Sequence, residues 1–175
     1  MNELFLTFLD KPTRENFVAV RRAVTMHAGY EPYSNDLQEM NDLYEAKRYA
    51  EVRERFRAAV PNLLLSPRAH MLLALAARHL GKDEDFEMER AIYARCLEGI
   101  ESTGDGSHES PYLVLRTSDE YDLLMAREKQ LKQQSLIGDE DRHLDRLECT
   151  DGTDLYFDIT DPFTRLGASF GDTEE

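Results

Sequence analysis

Near Pro111 the apolar residues of this 175-residue chain change their spacing from about 3.6 to about 2, and that switch restricts the fold more than any single motif. Before it the pattern is that of amphipathic helices. After it the pattern is that of half-buried strands. The spacing predicts an α+β protein, with a helical region over residues 1–106 and a small acidic α+β region over 107–175 packed on the first.

Five segments before the switch read as helices. The first runs from about Thr13 to Ala28, with Phe17, Val20, Val24 and His27 on one face and Gly29 as its stop. Ser34 and Asn35, with Gln38 as capping-box partner, open the second, which carries Leu37, Met40, Leu43 and Tyr44. The third places Tyr49, Val52, Phe56 and Ala59 together and ends at Pro61. In the fourth, "SPRAHMLLALAARHLG", Ser66 is the N-cap, Pro67 takes the first helical position and Gly81 ends the element. It is apolar nearly all round, so Leu72 and Leu75 are expected in the core. The fifth spans Asp83 to about Ser102.

Short turns between these segments require helical hairpins. Shifting the sequence by 34 residues lays Lys47-Arg48-Tyr49 on Gly81-Lys82-Asp83, Val52 on Phe86 and Ala59 on Tyr93. Over about residues 37–101 this resembles the tetratricopeptide family, whose turn and aromatic positions Tyr49 and Phe56 match. Val52 and Phe86 stand where that family has a small residue, and Arg90 where it has an aromatic. The resemblance implies tetratricopeptide-like hairpins, whose first helices offer a concave face to a protein or peptide partner. Asn41, Glu45, Arg68 and Arg78 are the candidate partner-binding residues there.

Beyond the loop "STGDGSHESP", Tyr112–Leu115 reads as a strand, and Ser118 caps a helix carrying Tyr121, Leu124, Met125, Glu128 and Leu131. Strands are expected over 134–138, 142–150 and 154–160, forming a small antiparallel sheet with one inserted and one terminal helix. In "DGTDLYFDITDP" four aspartates fall at helical spacing, yet Leu155, Phe157 and Ile159 alternate as in a strand. Asp154 and Asp158 then lie about 13 Å apart, too far to share a metal ion. Asp151 is expected in a type I′ turn with Gly152, and Asp161 as a helix N-cap before Pro162.

The charge is −14, unevenly spread: residues 1–102 hold 14 Lys and Arg against 17 Asp and Glu, and residues 103–175 hold 7 against 18. Such an acidic second half repels phosphate backbones, which argues against nucleic acid. No apolar run approaches the ~18 residues of a membrane helix, and the opening residues lack a signal-peptide pattern. Two cysteines suit buried thiols in a reducing compartment, so a cytoplasmic location is expected.

The five histidines form no metal-ligand pattern, and His70 and His79 lie nine residues apart on one helix, about 13 Å along its axis. No cofactor is called for. The Gly-x-Gly of the loop lacks the strand before it and the Gly-Lys-Ser/Thr after it that a phosphate loop needs. The remaining polar constellation is the solvent face of the last hairpin, Tyr156 and Asp158 with His143 or Asp145 across from them, a site for a small hydrolase-like enzyme. Against it stands the interaction or scaffolding module of the helical half.

The order "SP-AH", "STGDG", "DEYDLL", "LYFDIT-PF" over about residues 61–166 resembles a bacterial family known only as a domain of unknown function. That resemblance supports the boundary between the two halves and implies no catalytic residue. The resemblance also implies that some members are secreted, whereas this sequence is expected to lack their leader.

Overall fold

A computed structural model describes the backbone of residues 1–138 and 142–171 and the side chains of 1–138 and 142–166. Among the described residues six helices come first: α1 (Asn2–Asp10), α2 (Arg14–Thr25), α3 (Asp36–Glu45), α4 (Tyr49–Ala59), α5 (Pro67–His79) and α6 (Asp83–Glu101). Then follow β1 (Tyr112–Leu113), α7 (Thr117–Ala126), β2 (Leu131–Gly138), β3 (His143–Cys149), β4 (Asp154–Asp158) and α8 (Thr160–Gly171). Among the described residues no helix is long and apolar enough to cross a membrane.

The sequence places α5 correctly because both its ends are chemically specified. Ser66 Oγ accepts from the Ala69 amide, Pro67 needs no donor partner at the first position, and the chain leaves through Gly81 at φ 67°. Leu72 is buried beside Leu73, Ala69 and Ala76, whereas Leu75 is only half-buried, against expectation. Leu72 belongs to the core cluster that holds Met40 of α3 and Val52 and Ala59 of α4, while Leu75 is left less covered. Helices α3 to α6 form two consecutive hairpins, with α3 on α4, α4 on α5, α5 on α6, and α3 also touching α5. Met40, Val52, Leu63 and Leu73 fill the core between α3, α4 and α5.

A larger core crosses residue 106. It joins Phe8, Phe17 and Ile100 of the helices to Tyr112, Leu123, Leu147 and Phe157 around the sheet. Gly99 of α6 lies against the rings of α1 and α2: a methyl group there would sit 2.3 Å from the Phe17 ring and 2.8 Å from Phe8. Cys96 and Cys149 are free, buried thiols.

Several local expectations fail for physical reasons. Residues 2–10 form a sixth helix, whose Phe8 is fully buried; Phe5, Phe8 and Leu9 carry its helical spacing. His27 is exposed, and its Nδ1 accepts from the Gly29 amide. No side chain caps α3: Ser34 Oγ donates to Asp36, and Gln38 donates to Asp42 instead of closing a capping box. Ser118 lies inside α7, and Asp119 Oδ2 accepts from the Leu115 amide at 3.0 Å. Helix α7 stops at Ala126 with Glu128 at φ 54°, so Leu131 begins a strand and does not extend the helix face.

The four-stranded sheet has the order β1-β4-β3-β2 and is mixed, since β1 runs parallel to β4. The β3–β4 turn is not type I′. Gly152 alone has positive φ, its amide donates to Cys149 O, and Cys149 N donates to Thr153 O, the pattern of a three-residue loop ending in a left-handed glycine. Asp151 serves through its side chain, accepting from the Thr153 amide and from Lys129. Asp161 lies within the first turn of α8 and is not its N-cap: the Thr160 amide donates to Asp158 Oδ1, and Asp161 pairs with Arg21.

Candidate functional site

The strand register decides which hairpin residues can act together. Asp145 faces Phe157 and Leu147 faces Leu155, so 143, 145, 147 and 149 share the inner side with 155 and 157. Tyr156 and Asp158 project from the other face with Arg146, which stands across from Tyr156. His143 therefore does not join Tyr156 and Asp158. Its ring stacks on Phe163 of α8 at 3.8 Å, and Tyr156 instead meets His108 edge-on at 5.4 Å. Asp154 pairs with Arg146 at 2.7 Å, and Arg142 lies 3.9 Å from Asp158. Among the described residues no three His, Cys, Asp or Glu side chains converge as metal ligands.

Of the candidates on the helical face, Asn41 and Glu45 are exposed on α3. Arg78 is exposed on α5 and lies over the Phe86 ring at 5.4 Å. Arg68 has a different task. Its Nη2 and Nε donate to Asp122 Oδ1 at 2.5 and 2.8 Å, and its amide donates to Oδ2, which ties α5 to α7. Asp122 is completely buried, and Arg68, whose side chain is 44% exposed, offsets that interior charge from the surface.

That bond belongs to a buried polar seam between the helices and the sheet. Arg116 donates to both Asn62 O and Asn62 Oδ1, and Asn62 Nδ2 in turn donates to Glu31 O, Ser34 Oγ and Asp36 Oδ2. Tyr30 donates its hydroxyl to Leu115 O at 2.6 Å. The motif "DEYD" supplies the acids. Asp119 and Asp122 lie about 60° apart on the helical wheel and Glu120 about 100° to the other side of Asp119, an arc of about 160°, and all three are buried.

Glu120 is fully buried, and its carboxyl lies near that of Asp145 of β3. The Gln134 amide bridges them, donating to Asp145 Oδ2 at 2.8 Å and reaching Glu120 Oε2 at 3.4 Å, while Tyr121 donates to Gln134 Oε1. Burial, then the neighbouring Asp145 charge, raises the Glu120 carboxyl to about 10, so it is protonated at neutral pH. Burial also raises Asp119 to about 7 against the pull of Arg116. Among the described residues Glu120 Oε1 and Asp119 Oδ1 have no hydrogen-bond partner. A carboxylic acid that keeps its proton is chemically competent as an acid. With Glu120 sealed from solvent, its evident role is to hold α7 against β2 and β3.

No curated protein and no solved structure matches the chain. A family model does, over residues 14–165, which takes in both hairpins, the buried seam and all four strands. The chain belongs to that family, described as a domain of unknown function, DUF4919.

Proposed function

We propose that the chain is a non-catalytic protein-interaction module whose partner docks on the tetratricopeptide-like hairpins. The observation that carries this reading is the repetition of one turn geometry at a 34-residue interval, Lys47 at φ 59° and Gly81 at φ 67°. In each turn the following residue donates back to the last helical turn, Arg48 N to Leu43 O and Lys82 N to Ala77 O. Equal turns set α3 and α5 side by side, which is how such hairpins build a common face. Asn41, Glu45, Arg68 and Arg78 are the exposed candidates of that face in the proposal, with Arg68 also tied to Asp122 of α7. The buried free thiols Cys96 and Cys149 suit a reducing compartment, and the proposal places the protein in the cytoplasm.

The test is affinity purification of the full chain from native lysate beside the double variant Asn41→Arg/Arg78→Glu, with thermal melts to verify folding. A partner enriched by the native chain and lost with the folded variant is the expected result. Equal recovery by both would overturn the reading.

A further inference from the structure

A cleft of about 240 Å³ opens between α4, the second half of α5 and the start of α6. Leu73, Ala76, Ala77 and Leu80 line it from α5, and Tyr49, Arg53 and Arg57 descend the α4 side at four-residue spacing. At 100° per residue, positions 73, 76, 77 and 80 point about 170° away from 68, 71, 75 and 78, so this cleft is on the opposite side of α5 from Arg78. It is a separate surface from the one proposed above.

The charges in the cleft are unusual for an acidic chain. Arg53, Arg57 and Lys82 line it against Glu54 and Asp85, a local excess of one positive charge in a protein of net −14. Arg53 is matched by Asp85 at 2.9 Å. The other arginines of the same stretch are also matched, Arg48 by Glu51 and Arg55 by Asp36 and Glu39. Among the described residues the side chains of Arg57 and Lys82 have no hydrogen-bonding or ionic partner. They stand toward opposite ends of the cleft: Tyr49, at the Lys82 end, stacks on His79 at 4.4 Å, and Arg57 follows Tyr49 by eight residues, about 12 Å of helix.

We infer that this cleft binds an extended acidic segment of a partner protein, with carboxylates received by Arg57 and Lys82 and a small apolar side chain resting on Ala76 and Ala77. A span of about 12 Å is four residues of extended chain, so acids at the first and fifth positions of a segment reach both cations. The inference rests on the interaction reading only in taking the occupant to be a protein.

Fluorescence anisotropy with the full chain tests it. The probe is a labelled, end-capped peptide, Glu-Ala-Val-Ala-Glu, and its twin has both acids changed to Gln. The acidic peptide should bind saturably and at least tenfold tighter than the twin. Arg57→Glu and Lys82→Glu should each weaken it about tenfold, Glu54→Gln should tighten it, and Ala50→Phe, which narrows the cleft without changing its charge, should also weaken it. Arg78→Glu should leave it unchanged. No saturable binding, equal binding of the twin, or affinity indifferent to Arg57→Glu in a folded variant would overturn the inference. Each of these results leaves the hairpin face to its own test, where loss of a captured partner on Asn41→Arg/Arg78→Glu is a separate measurement.

Discussion

Lys47 and Gly81 occupy the same backbone position in successive hairpins, both left-handed, but only one of them is glycine. A left-handed residue with a Cβ costs roughly 1 kcal/mol more than glycine. Lys47→Gly should therefore stabilise the fold by several tenths to about 1 kcal/mol, and Gly81→Ala should destabilise it by a similar amount. A methyl group at Gly81 would meet no atom within 4 Å, so the second change isolates backbone conformation from packing. Urea midpoints of the two variants check both signs.

Gly99 should respond in the opposite way from an exposed helical glycine, where alanine gains about 1 kcal/mol. Its missing Cβ leaves room for the Phe17 and Phe8 rings. Gly99→Ala must push two fully buried aromatics, and a loss of about 1 to 3 kcal/mol in chemical denaturation is expected.

The pH dependence of stability follows from Glu120. Its folded value, about 10, exceeds the 4.5 of an unperturbed glutamate. Above about 4.5 the unfolded chain releases a proton that the folded chain retains, so stability falls as pH rises towards 10. Asp119 adds to the same decline between about 3.8 and 7. Each group contributes at most about 1.4 kcal/mol per pH unit inside its window. Glu120→Gln keeps the shape of the protonated acid and removes its titration. The variant should match the native chain at pH 4 and exceed its denaturation midpoint at pH 8; parallel pH curves for the two proteins would show that Glu120 is already ionised in the fold.

Why the sequence discloses some of this and hides the rest is visible in particular residues. Helix α5 announces itself through Ser66-Pro67 and Gly81, and β4 through the alternation of Leu155, Phe157 and Ile159, since each signal is local. The parallel pairing of β1 with β4 has no local signal, because Tyr112 finds Phe157 through 44 intervening residues of chain. The acids of "DEYD" read as an ordinary favourable first turn for a helix dipole. Arg116 is a local partner at the N-terminus of α7, but Arg68 and Asp145 lie in other elements, and only the fold brings them near. His143 fails as a site residue for a similarly small reason: one position along β3 moves a side chain to the other face of the sheet.

The four aspartates of the last hairpin should separate sharply on substitution, and Asp161 should matter most. Arg21, whose side chain is 10% exposed, donates to Asp161 Oδ2 at 2.6 Å and to Val114 O at 3.0 Å, while its Nε has no partner. Asp161→Ala removes the only carboxylate paired with that guanidinium among the described residues, leaving a largely buried cation held by one carbonyl. Because Asp161 itself is 46% exposed, water can reach the vacated site, and a cost of about 1 to 3 kcal/mol is expected, not the full penalty of an enclosed charge. Asp158→Ala loses one side-chain bond to the Thr160 amide and should cost about 1 kcal/mol. Replacing both members of the pair, Arg21→Met with Asp161→Ala, should recover stability relative to Asp161→Ala alone, since removing both charges leaves neither stranded. Denaturation of the single and double variants decides the matter: a double variant less stable than Asp161→Ala would mean that Arg21 holds the sheet through Val114 and not through the ion pair.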